Sequence, residues 1–424
     1  MTDSSGFVDV RMRGFAKRAE FAAVVQLLEA RVAPLPGEPI AFSEAIGRVL
    51  AEPVRSALDV PNFVRAAMDG FAVRGQDTLG AAADNPVPLT LLGAAFPARP
   101  FPDPVGPGQA VRIMTGAPLP AGADAVLIAE SARLEADRVL ALEAVAPGRH
   151  VGWVGEDVPR GREVLPAGRR LRPQDIGLLA SIAAPTVMAV RRPQVAILVT
   201  GNELLPPGSV PTGFRIVDSN SPMLTALVAR DGGLSRPVQY LPDDFAVIRE
   251  AVRTSDADVI LISGGTSVGA EDHAPRVVAE LGELAVHGIA LRPASPTGIG
   301  FLPGAAVAAP PGPPRVVFLL PGNPVACLCA YDLFAGRVVR RLGGRPFALP
   351  YPKVTLPLAA PIVSVAGRVD YVRIQVENGQ AVPLTRSGAS VLSSTVVADG
   401  FVLVDRDRDR YSPGELVEVW LYDG

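Results

Sequence analysis

The sequence predicts a multidomain protein that combines an α/β domain with β-rich domains. Its 424 residues are enough for about three domains at roughly 150 residues each. Hydrophobic residues make up 48% of the chain and charged residues 20%, which provides apolar material for several cores and argues against general disorder. Between residues 193 and 345, short β-branched runs alternate with helical patterns, which is typical of a three-layer α/β domain.

Charge and cysteine content exclude several classes of protein. The 40 basic and 43 acidic residues give a net charge of -3 without a basic block, so a nucleic-acid groove is not expected. The N-terminal residues lack the apolar core of an export signal, and no uninterrupted apolar run reaches the roughly 18 residues of a membrane span. Cys327 and Cys329 suit neither a disulfide framework nor a zinc knuckle, which favours a cytoplasmic location.

The first half of the chain changes from a helical to a β-rich pattern. Helical spacing covers Ala19 to Arg31 and Ser43 to Glu52, whereas short apolar runs split by Gly and Pro dominate from about Val60 to Val145. A later helical pattern, Ile176 to Ala183, follows Pro173, a residue that suits a first helical turn. We expect this later segment to pack back on the N-terminal helices.

Three apolar runs within residues 193–345 predict the strands of a parallel sheet. They are Val195 to Val199, Val259 to Ile262 and Val316 to Leu320, and a glycine-containing loop follows each. Helical patterns follow these units at Ser221 to Arg230, Asp244 to Arg253, Ala274 to Leu281 and Pro324 to Leu342. Strands that are apolar on both faces and alternate with helices form sheets that helices cover on both sides.

The last part of the chain, residues 346–424, predicts a small β domain. Helical patterns stop after Arg345-Pro346, and turn residues separate short strand-like pieces. These pieces are Lys353 to Leu358, Tyr371 to Val376, Gly400 to Val404 and Leu416 to Trp420.

Acidic residues follow the predicted strands at the edge of the sheet where ligands bind. Glu203 follows the first strand, Asp218 precedes a helix, and Asp272 follows the glycine-rich segment 264–269. Backbone N–H groups of glycine loops can cradle phosphate. Carboxylates and phosphates repel each other unless a hard divalent cation bridges them, and oxygen ligands of this kind favour Mg²⁺. The pattern therefore predicts a Mg²⁺-assisted site for a phosphate-bearing ligand.

Each of these features also has a purely structural interpretation. Asp218 can cap the following helix, Glu203 can be a solvated loop acid, and the glycine-rich segment can be a tight turn. The segment also matches the Gly-x-Ser-x-Gly nucleophile elbow, which would make Ser267 the nucleophile of a serine hydrolase. That alternative needs a histidine after the last strands, and the only later histidines, His273 and His287, do not lie there.

Seven sequence blocks, in this order, resemble the molybdopterin molybdenumtransferases, the MoeA and gephyrin E-domain family. The resemblance runs from about residue 20 to the C-terminus. The blocks are Ala67–Val73, Arg112–Pro118, Gly155–Val158, Thr200–Leu204, Asp218–Asn220, Ser263–Gly269 and Pro321–Pro324. The resemblance implies insertion of molybdate into adenylylated molybdopterin, with Mg²⁺, cleavage of the pyrophosphate and release of AMP.

The resemblance also implies a four-part, L-shaped subunit. Its parts are an elongated domain I (18–56 and 150–192), a β-rich domain II (57–149), a MogA-like molybdopterin-binding domain III (193–345) and a β-barrel-like domain IV (346–424). The family implies a cytoplasmic homodimer with the active cleft between subunits, an adenylyltransferase that acts upstream, and molybdoenzyme clients that receive the product.

The resemblance assigns roles to individual residues. Glu203, Asp218 and Asp272 would hold the cation and orient the ligand, as metal ligands and catalytic residues. Thr115, Glu156 and Asp157 would line the opposing wall of the cleft. The remaining residues expected to bind the molybdopterin ligand are Gly264, Gly265, Ser267, Gly269, Arg292, Ser295, Pro321, Gly322, Asn323 and, from the C-terminal domain, Ser393.

The chain departs from the family pattern at three places, one of which is Ala66, where the family often has Ser. Arg292-Pro293-Ala294-Ser295-Pro296 stands where the family commonly has Lys-Pro-Gly-Lys-Pro, and His273-Ala274-Pro275 replaces Tyr, Thr and Lys after Asp272. Arg292 keeps a positive charge, but Ser295 removes one. The alternative to the insertion enzyme is therefore a divergent paralogue that binds molybdopterin or its cofactor without efficient insertion.

Overall fold

The computed structural model of the chain describes Phe15 and residues 18–266, 272–304, 313–384 and 388–422. The chain divides into two compact units. Unit 1 comprises residues 1–38, 47–51 and 188–424, and unit 2 comprises residues 39–46 and 52–187. None of the described helices is long and apolar enough to cross a membrane. The four-part division of the chain stays a prediction.

The described helices are short and lie mainly in unit 1. They are α1 (Phe21–Arg31), α2 (Pro173–Ser181), α3 (Asn220–Arg230), α4 (Phe245–Thr254), α5 (Ala274–Leu281), α6 (Pro324–Ala330), α7 (Gly336–Leu342) and α8 (Ser393–Val396). A π-helical turn, Tyr331–Ala335, joins α6 to α7.

Unit 2 contains the predicted β-rich part as one six-stranded sheet. Its strands are β1 (Gly70–Val73), β2 (Val87–Ala95), β3 (Gln109–Ile113), β4 (Ala125–Ile128), β5 (Ala132–Glu135) and β6 (Arg138–Ala141). The strand order is β4-β1-β3-β2-β6-β5, and only β2 and β3 pair in parallel. Two short antiparallel pairs accompany the sheet: Arg65–Ala66 with Val151–Gly152, and Val54–Arg55 with Glu163–Leu165.

Unit 1 contains the predicted α/β domain. Its strands are β7 (Gln194–Thr200), β8 (Leu234–Ser235), β9 (Gln239–Leu241), β10 (Val259–Ser263), β11 (Glu283–His287), β12 (Gly298–Leu302) and β13 (Arg315–Leu320). The order is β8-β7-β10-β13-β12-β11, with β9 also beside β7. β7, β8, β9, β10 and β13 run parallel, whereas β12 and β11 add an antiparallel edge.

Alternate residues of the central strands face opposite helix layers. In β7, Val195, Ile197 and Val199 share a buried cluster with Leu224 of α3. Ala196 and Leu198 face the other way and share a cluster with Ile248 of α4 and Val277 of α5. Because successive side chains of a strand point to opposite faces, a strand covered on both sides must be apolar throughout. The predicted three-layer architecture is confirmed.

The C-terminal part of unit 1 forms the predicted β domain. Its strands are β14 (Lys353–Pro357), β15 (Val369–Glu377), β16 (Gln380–Pro383), β17 (Gly400–Val404) and β18 (Leu416–Leu421). β15, β17, β18 and β14 pair in that order, with β16 also beside β15. The segment Leu291–Arg292 pairs with the start of β15. This link ties the loop that carries the departure at Arg292 to the C-terminal sheet.

One predicted helix is wrong. In place of Ser43 to Glu52 the chain forms a single 3₁₀ turn, Phe42–Glu44, and a bridge between Leu50 and Ala189. Gly47 has a φ of +72°, which breaks a right-handed helix and is easily adopted by glycine. The antiparallel edge strands of the α/β sheet were also not predicted, because the small residues of Gly298–Leu302 do not form a continuous β-branched run.

Candidate functional site

Three parallel strands end at the same level and position the candidate site. β7 ends at Thr200, β10 at Ser263 and β13 at Leu320. Val199 pairs with Ser263, and Ser263 pairs with Leu320, so the loops that follow leave the sheet side by side. Doubly wound sheets bind ligands at this edge.

A pocket of about 510 Å³ lies at this edge of unit 1. It brings together the predicted acids and the predicted glycine loops. The expected site residues that line it are Glu203, Asp218, Gly264, Gly265, Asp272, Pro321, Gly322 and Asn323. Among the described lining residues, every charged side chain is an Asp or Glu, so the pocket is strongly acidic.

Asp218 is buried and caps the start of α3. Its Oδ1 accepts hydrogen bonds from the backbone N–H groups of Asn220 at 2.8 Å and Ser221 at 3.2 Å. Its Oδ2 accepts from the hydroxyl groups of Ser221 and, at 2.8 Å, Tyr240. Asp218 therefore caps the helix, as its structural interpretation predicts. Four hydrogen-bond donors hold its carboxylate in place.

A two-residue parallel pair separates Glu203 from Asp218. Leu204–Leu205 pairs with Ile216–Val217; Glu203 comes just before the first strand and Asp218 just after the second. Because the strands are parallel, the two acids flank opposite ends of the pair. Both acids line the pocket.

Asp243 is a lining residue that the sequence analysis missed. Leu241 of β9 pairs with Thr200 of β7, so Asp243 follows a strand that ends at the carboxyl edge of the sheet. Its Oδ2 accepts a 3.0 Å hydrogen bond from the backbone N–H of Asn202. The available signal was an acid between a short strand and the N-cap residue Asp244 of α4.

Asp272 lines the pocket just before α5 and lies within electrostatic reach of His287. Burial lowers the pKa of His287, and this effect outweighs the opposing effects of the Thr266 carbonyl and the Asp272 carboxylate. His287 Nε2 lies 3.3 Å from that carbonyl. The imidazole is therefore neutral near pH 7 and does not offset the acidic charge of the pocket.

Two buried polar atoms of lining residues have no hydrogen-bond partner among the described residues. They are Asn220 Oδ1 and Thr200 Oγ1; Asn220 is 6% and Thr200 1% exposed. The amide nitrogen of Asn220, in contrast, donates to Ser263 Oγ at 2.9 Å and to the Gly322 carbonyl at 2.8 Å. Unpaired buried polar atoms are costly, so both mark positions suited to a ligand.

The acids do not form a metal cage by themselves. In the part of the chain that the structure describes, no three His, Cys, Asp or Glu side chains are grouped closely enough to hold one ion. Mg²⁺ commonly takes one or two carboxylates and completes its shell with water and substrate phosphates. The carboxylate oxygens of the pocket fit a Mg²⁺ site in which the protein and the phosphates of the ligand both supply oxygen atoms.

Three expected site residues lie elsewhere in unit 1. Arg292 does not line the pocket; its Nη2 lies 2.7 Å from Oδ2 of the buried Asp370, which also binds Arg368 and Ser364. Ser295 donates a 3.1 Å hydrogen bond to the Ile289 carbonyl. The third, Ser393, is the first residue of α8 and likewise does not line the pocket.

Thr115, Glu156 and Asp157 belong to unit 2. Thr115 donates two 2.6 Å hydrogen bonds, from its hydroxyl and its backbone N–H, to Oδ1 of the exposed Asp69. These bonds lower the pKa of Asp69, the hydroxyl bond having the larger effect. Glu156 accepts a 3.0 Å bond from the Trp153 backbone N–H, and the Asp157 N–H donates to the Val60 carbonyl at 3.1 Å. The expected residues Ser267 and Gly269 lie outside the described residues.

Family models and solved structures of known proteins match nearly the whole chain. Residues 19–183 match the model of the MoeA N-terminal region (domain I and II), residues 196–341 that of a probable molybdopterin binding domain, and residues 355–422 that of the MoeA C-terminal region (domain IV). The solved molybdopterin biosynthesis MoeA protein of Pyrococcus horikoshii is 31% identical, with a TM-score of 0.78; the match covers 96% of this chain and 100% of that one.

Curated relatives support the same assignment. The molybdopterin molybdenumtransferase of Haemophilus influenzae is 30% identical over 93% of this chain and 96% of its own length. The molybdopterin molybdenumtransferase of a Nostoc species is 38% identical over 71% of this chain and 68% of its own length. The predicted resemblance is confirmed, and the chain belongs to the MoeA family of molybdopterin molybdenumtransferases.

Proposed function

We propose that this enzyme of molybdenum cofactor biosynthesis inserts molybdate into adenylylated molybdopterin, with Mg²⁺-dependent cleavage of the pyrophosphate and release of AMP. The observation that carries the proposal is one pocket in which glycine loops and four carboxylates meet at the carboxyl ends of parallel strands. Backbone N–H groups bind anionic ligands, whereas carboxylates repel them unless a cation intervenes. Both features together match a phosphate-bearing ligand that arrives with Mg²⁺.

The glycine turn after β10 supports the phosphate part of the proposal. Gly264 and Gly265 have φ values of +91° and +58°, which L side chains rarely adopt. A Cβ on Gly264 would lie 2.2 Å from the Thr200 carbonyl oxygen, and one on Gly265 2.8 Å from Thr200 Oγ1. Only glycine allows this turn to pack on the end of β7 and leave its backbone accessible to a ligand.

The proposed roles of the acids follow from their surroundings. Glu203 and Asp272 are partly or fully exposed in the pocket and would hold the cation together with the ligand phosphates. When bound, Mg²⁺ would neutralise charge that develops on the phosphate oxygens as the pyrophosphate is cleaved. Asp218, whose oxygens already accept four hydrogen bonds, would add a fixed negative charge that orients the ligand.

A second candidate function is a paralogue that binds the ligand without efficient insertion. It is favoured by the absence of a cationic side chain among the described lining residues. Arg292 compensates Asp370, and Ser295 carries no charge. Each lost charge-assisted hydrogen bond is worth about 1.5–3 kcal/mol, or roughly tenfold to a hundredfold in binding. We place this candidate second because the acidic and glycine-rich parts of the pocket are retained.

The serine hydrolase alternative is not adopted. His273 is the N-cap residue of α5, and its ring lies 6.2 Å from that of Phe245. His287 lies in β11 and contacts the Thr266 carbonyl. Neither follows the last strands of the sheet, where a hydrolase base would lie.

The proposed assembly follows the family. We propose a cytoplasmic homodimer in which Thr115, Glu156 and Asp157 of the partner subunit complete the cleft. An adenylyltransferase would supply the substrate, because adenylylation must precede AMP release, and a molybdoenzyme would receive the product.

AMP release tests the proposed function. Purified protein is incubated with adenylylated molybdopterin, molybdate and Mg²⁺, and AMP is quantified by chromatography. The insertion enzyme requires AMP formation that stops when Mg²⁺ is chelated. Tight binding of the adenylylated ligand without AMP formation would instead establish the second candidate.

A further inference from the structure

We infer that Asn220 selects the ligand through the exocyclic amino group of a nitrogen heterocycle, which donates a hydrogen bond to Asn220 Oδ1. The inference rests on the proposed function, because that ligand carries two such heterocycles, pterin and adenine. It assigns to a buried amide in the lining of the pocket a specificity that the carboxylates and glycine loops do not explain.

The orientation of the Asn220 side chain is fixed by its neighbours. A backbone carbonyl can only accept, so the group that lies 2.8 Å from the Gly322 oxygen must be the NH₂ of Asn220. The same nitrogen lies 2.9 Å from Ser263 Oγ. A flipped amide would place its oxygen against the Gly322 carbonyl oxygen, and two acceptors cannot form a hydrogen bond. Oδ1 is therefore the amide atom that does not contact Gly322.

The unpartnered atom is buried in the lining of the pocket. Asn220 is only 6% exposed, and no described residue donates a hydrogen bond to its Oδ1. The adjacent end of β7 contributes a second unpartnered atom, Thr200 Oγ1, which can donate or accept. Asn220 Oδ1, in contrast, can only accept a hydrogen bond. A ligand atom that forms a hydrogen bond with it must be a donor.

The chemistry of the ligand decides which part meets Asn220. Oxygen atoms of phosphate and molybdate are acceptors near neutral pH, and they are repelled further by the carboxylates that line the pocket. Pterin and adenine each carry an exocyclic NH₂ group, a neutral donor that suits an acceptor-rich surface. A buried group that is built to accept a hydrogen bond rejects analogues that cannot donate one.

Two matched pairs of probes test the inference and distinguish its sources. The first pair is 6-hydroxymethylpterin and 6-hydroxymethyllumazine; the second is AMP and IMP. Within each pair, a carbonyl replaces an amino group. Calorimetric titration of the full-length protein with Mg²⁺ should show a preference of about tenfold for the amino member of at least one pair. The pair that shows it identifies pterin or adenine as the partner of Asn220.

Variants separate recognition from structural support. In Asn220→Leu and Asn220→Ser the preference should fall to about one, because the fixed acceptor is lost. Ser263→Ala removes one bond that holds the amide but leaves the Gly322 bond, so it should keep the preference. Thermal melting identifies any variant that fails to fold. Because Asn220 is replaced in two ways, the test can still be made if one of the two variants does not fold.

The binding experiments can refute the role of Asn220 without refuting the proposed insertion reaction. Equal binding within both pairs, a preference that persists in both folded Asn220 variants, or no binding of any of the four probes would overturn it. AMP release is measured in parallel on the wild-type protein. Release without an amino preference refutes the role of Asn220 alone, whereas an amino preference without release refutes the insertion reaction alone.

Discussion

The hydroxyl of Tyr240 donates a 2.8 Å hydrogen bond to Oδ2 of Asp218 and so ties the edge strand β9 to the start of α3. Ser221 Oγ donates to the same oxygen. The pKa of Tyr240 is raised, mainly by burial, so the phenol remains a protonated donor throughout the neutral range. The candidate ligand-orienting acid is therefore held by a side chain from a neighbouring strand.

Tyr240→Phe should lower the free energy of unfolding by about 1 kcal/mol, because a buried carboxylate loses one donor. Chemical denaturation measures the change. Ser221→Ala removes the other hydroxyl donor to the same oxygen. Because the two hydroxyl groups share one acceptor, the double variant should not show the sum of the single effects. Additive effects would show that the two donors do not act on Asp218 together.

Asp272→Asn should reduce Mg²⁺-dependent AMP release by at least about a hundredfold, because a neutral amide is a poor ligand for a hard cation. Sedimentation and circular dichroism should be unchanged. Asp256→Asn is the matched control, since Asp256 pairs with Arg236 on the surface and does not line the pocket. Full turnover by Asp272→Asn would show that the acid is wrongly assigned.

Ser295→Lys should tighten binding of the adenylylated ligand about tenfold, because it restores a cation beside Pro296, which lines the pocket. Ser295→Ala is the matched control: it also loses the 3.1 Å bond to the Ile289 carbonyl but adds no charge. Calorimetry on both variants isolates the effect of charge. Equal affinities would remove the electrostatic reason for the second candidate function.

The architecture of the α/β domain could be predicted because its signals are local. Strands such as Val259–Ser263 are buried on both faces and therefore carry a continuous apolar run. Parallel strands end at one edge, so the acids that follow them could be placed near one pocket from their sequence positions. Glu203 and Asp218 were found in this way.

Features that depend on distant contacts could not be predicted. The charge of Arg292 was visible, but its pairing with Asp370 joins positions far apart in sequence. The Asn220 acceptor is defined by bonds to Ser263 and Gly322, which come from two other loops. Asp243 was missed because β9 is only three residues long, too short for a recognisable periodicity.

Mixing of inactive variants should restore activity if the cleft lies between subunits. In a dimer of one Asp272→Asn and one Thr115→Val copy, one of the two clefts would contain both native residues. Random mixing should then recover about one quarter of wild-type AMP release, since half of the dimers are mixed and each has one intact cleft. Activity that stays at the level of the separate variants would place the whole site within one subunit.

The titration of Asp332 should make the free energy of unfolding decrease as the pH rises towards neutrality. Its carboxyl is fully buried beside Arg230 and Tyr351, and burial outweighs both neighbours and raises its pKa to about 6. The native state therefore keeps a proton that the unfolded chain, with a pKa near 3.8, has released.

Between about pH 4 and 6 the native state binds more protons, so the contribution of Asp332 to the free energy of unfolding falls as pH rises, by at most about 1.4 kcal/mol per pH unit. Asp332→Asn cannot titrate and should lose this part of the slope while keeping an acceptor for Tyr351. Denaturation of both proteins at several pH values measures the difference. Parallel pH profiles would mean that the Arg230 guanidinium keeps Asp332 ionised despite its burial.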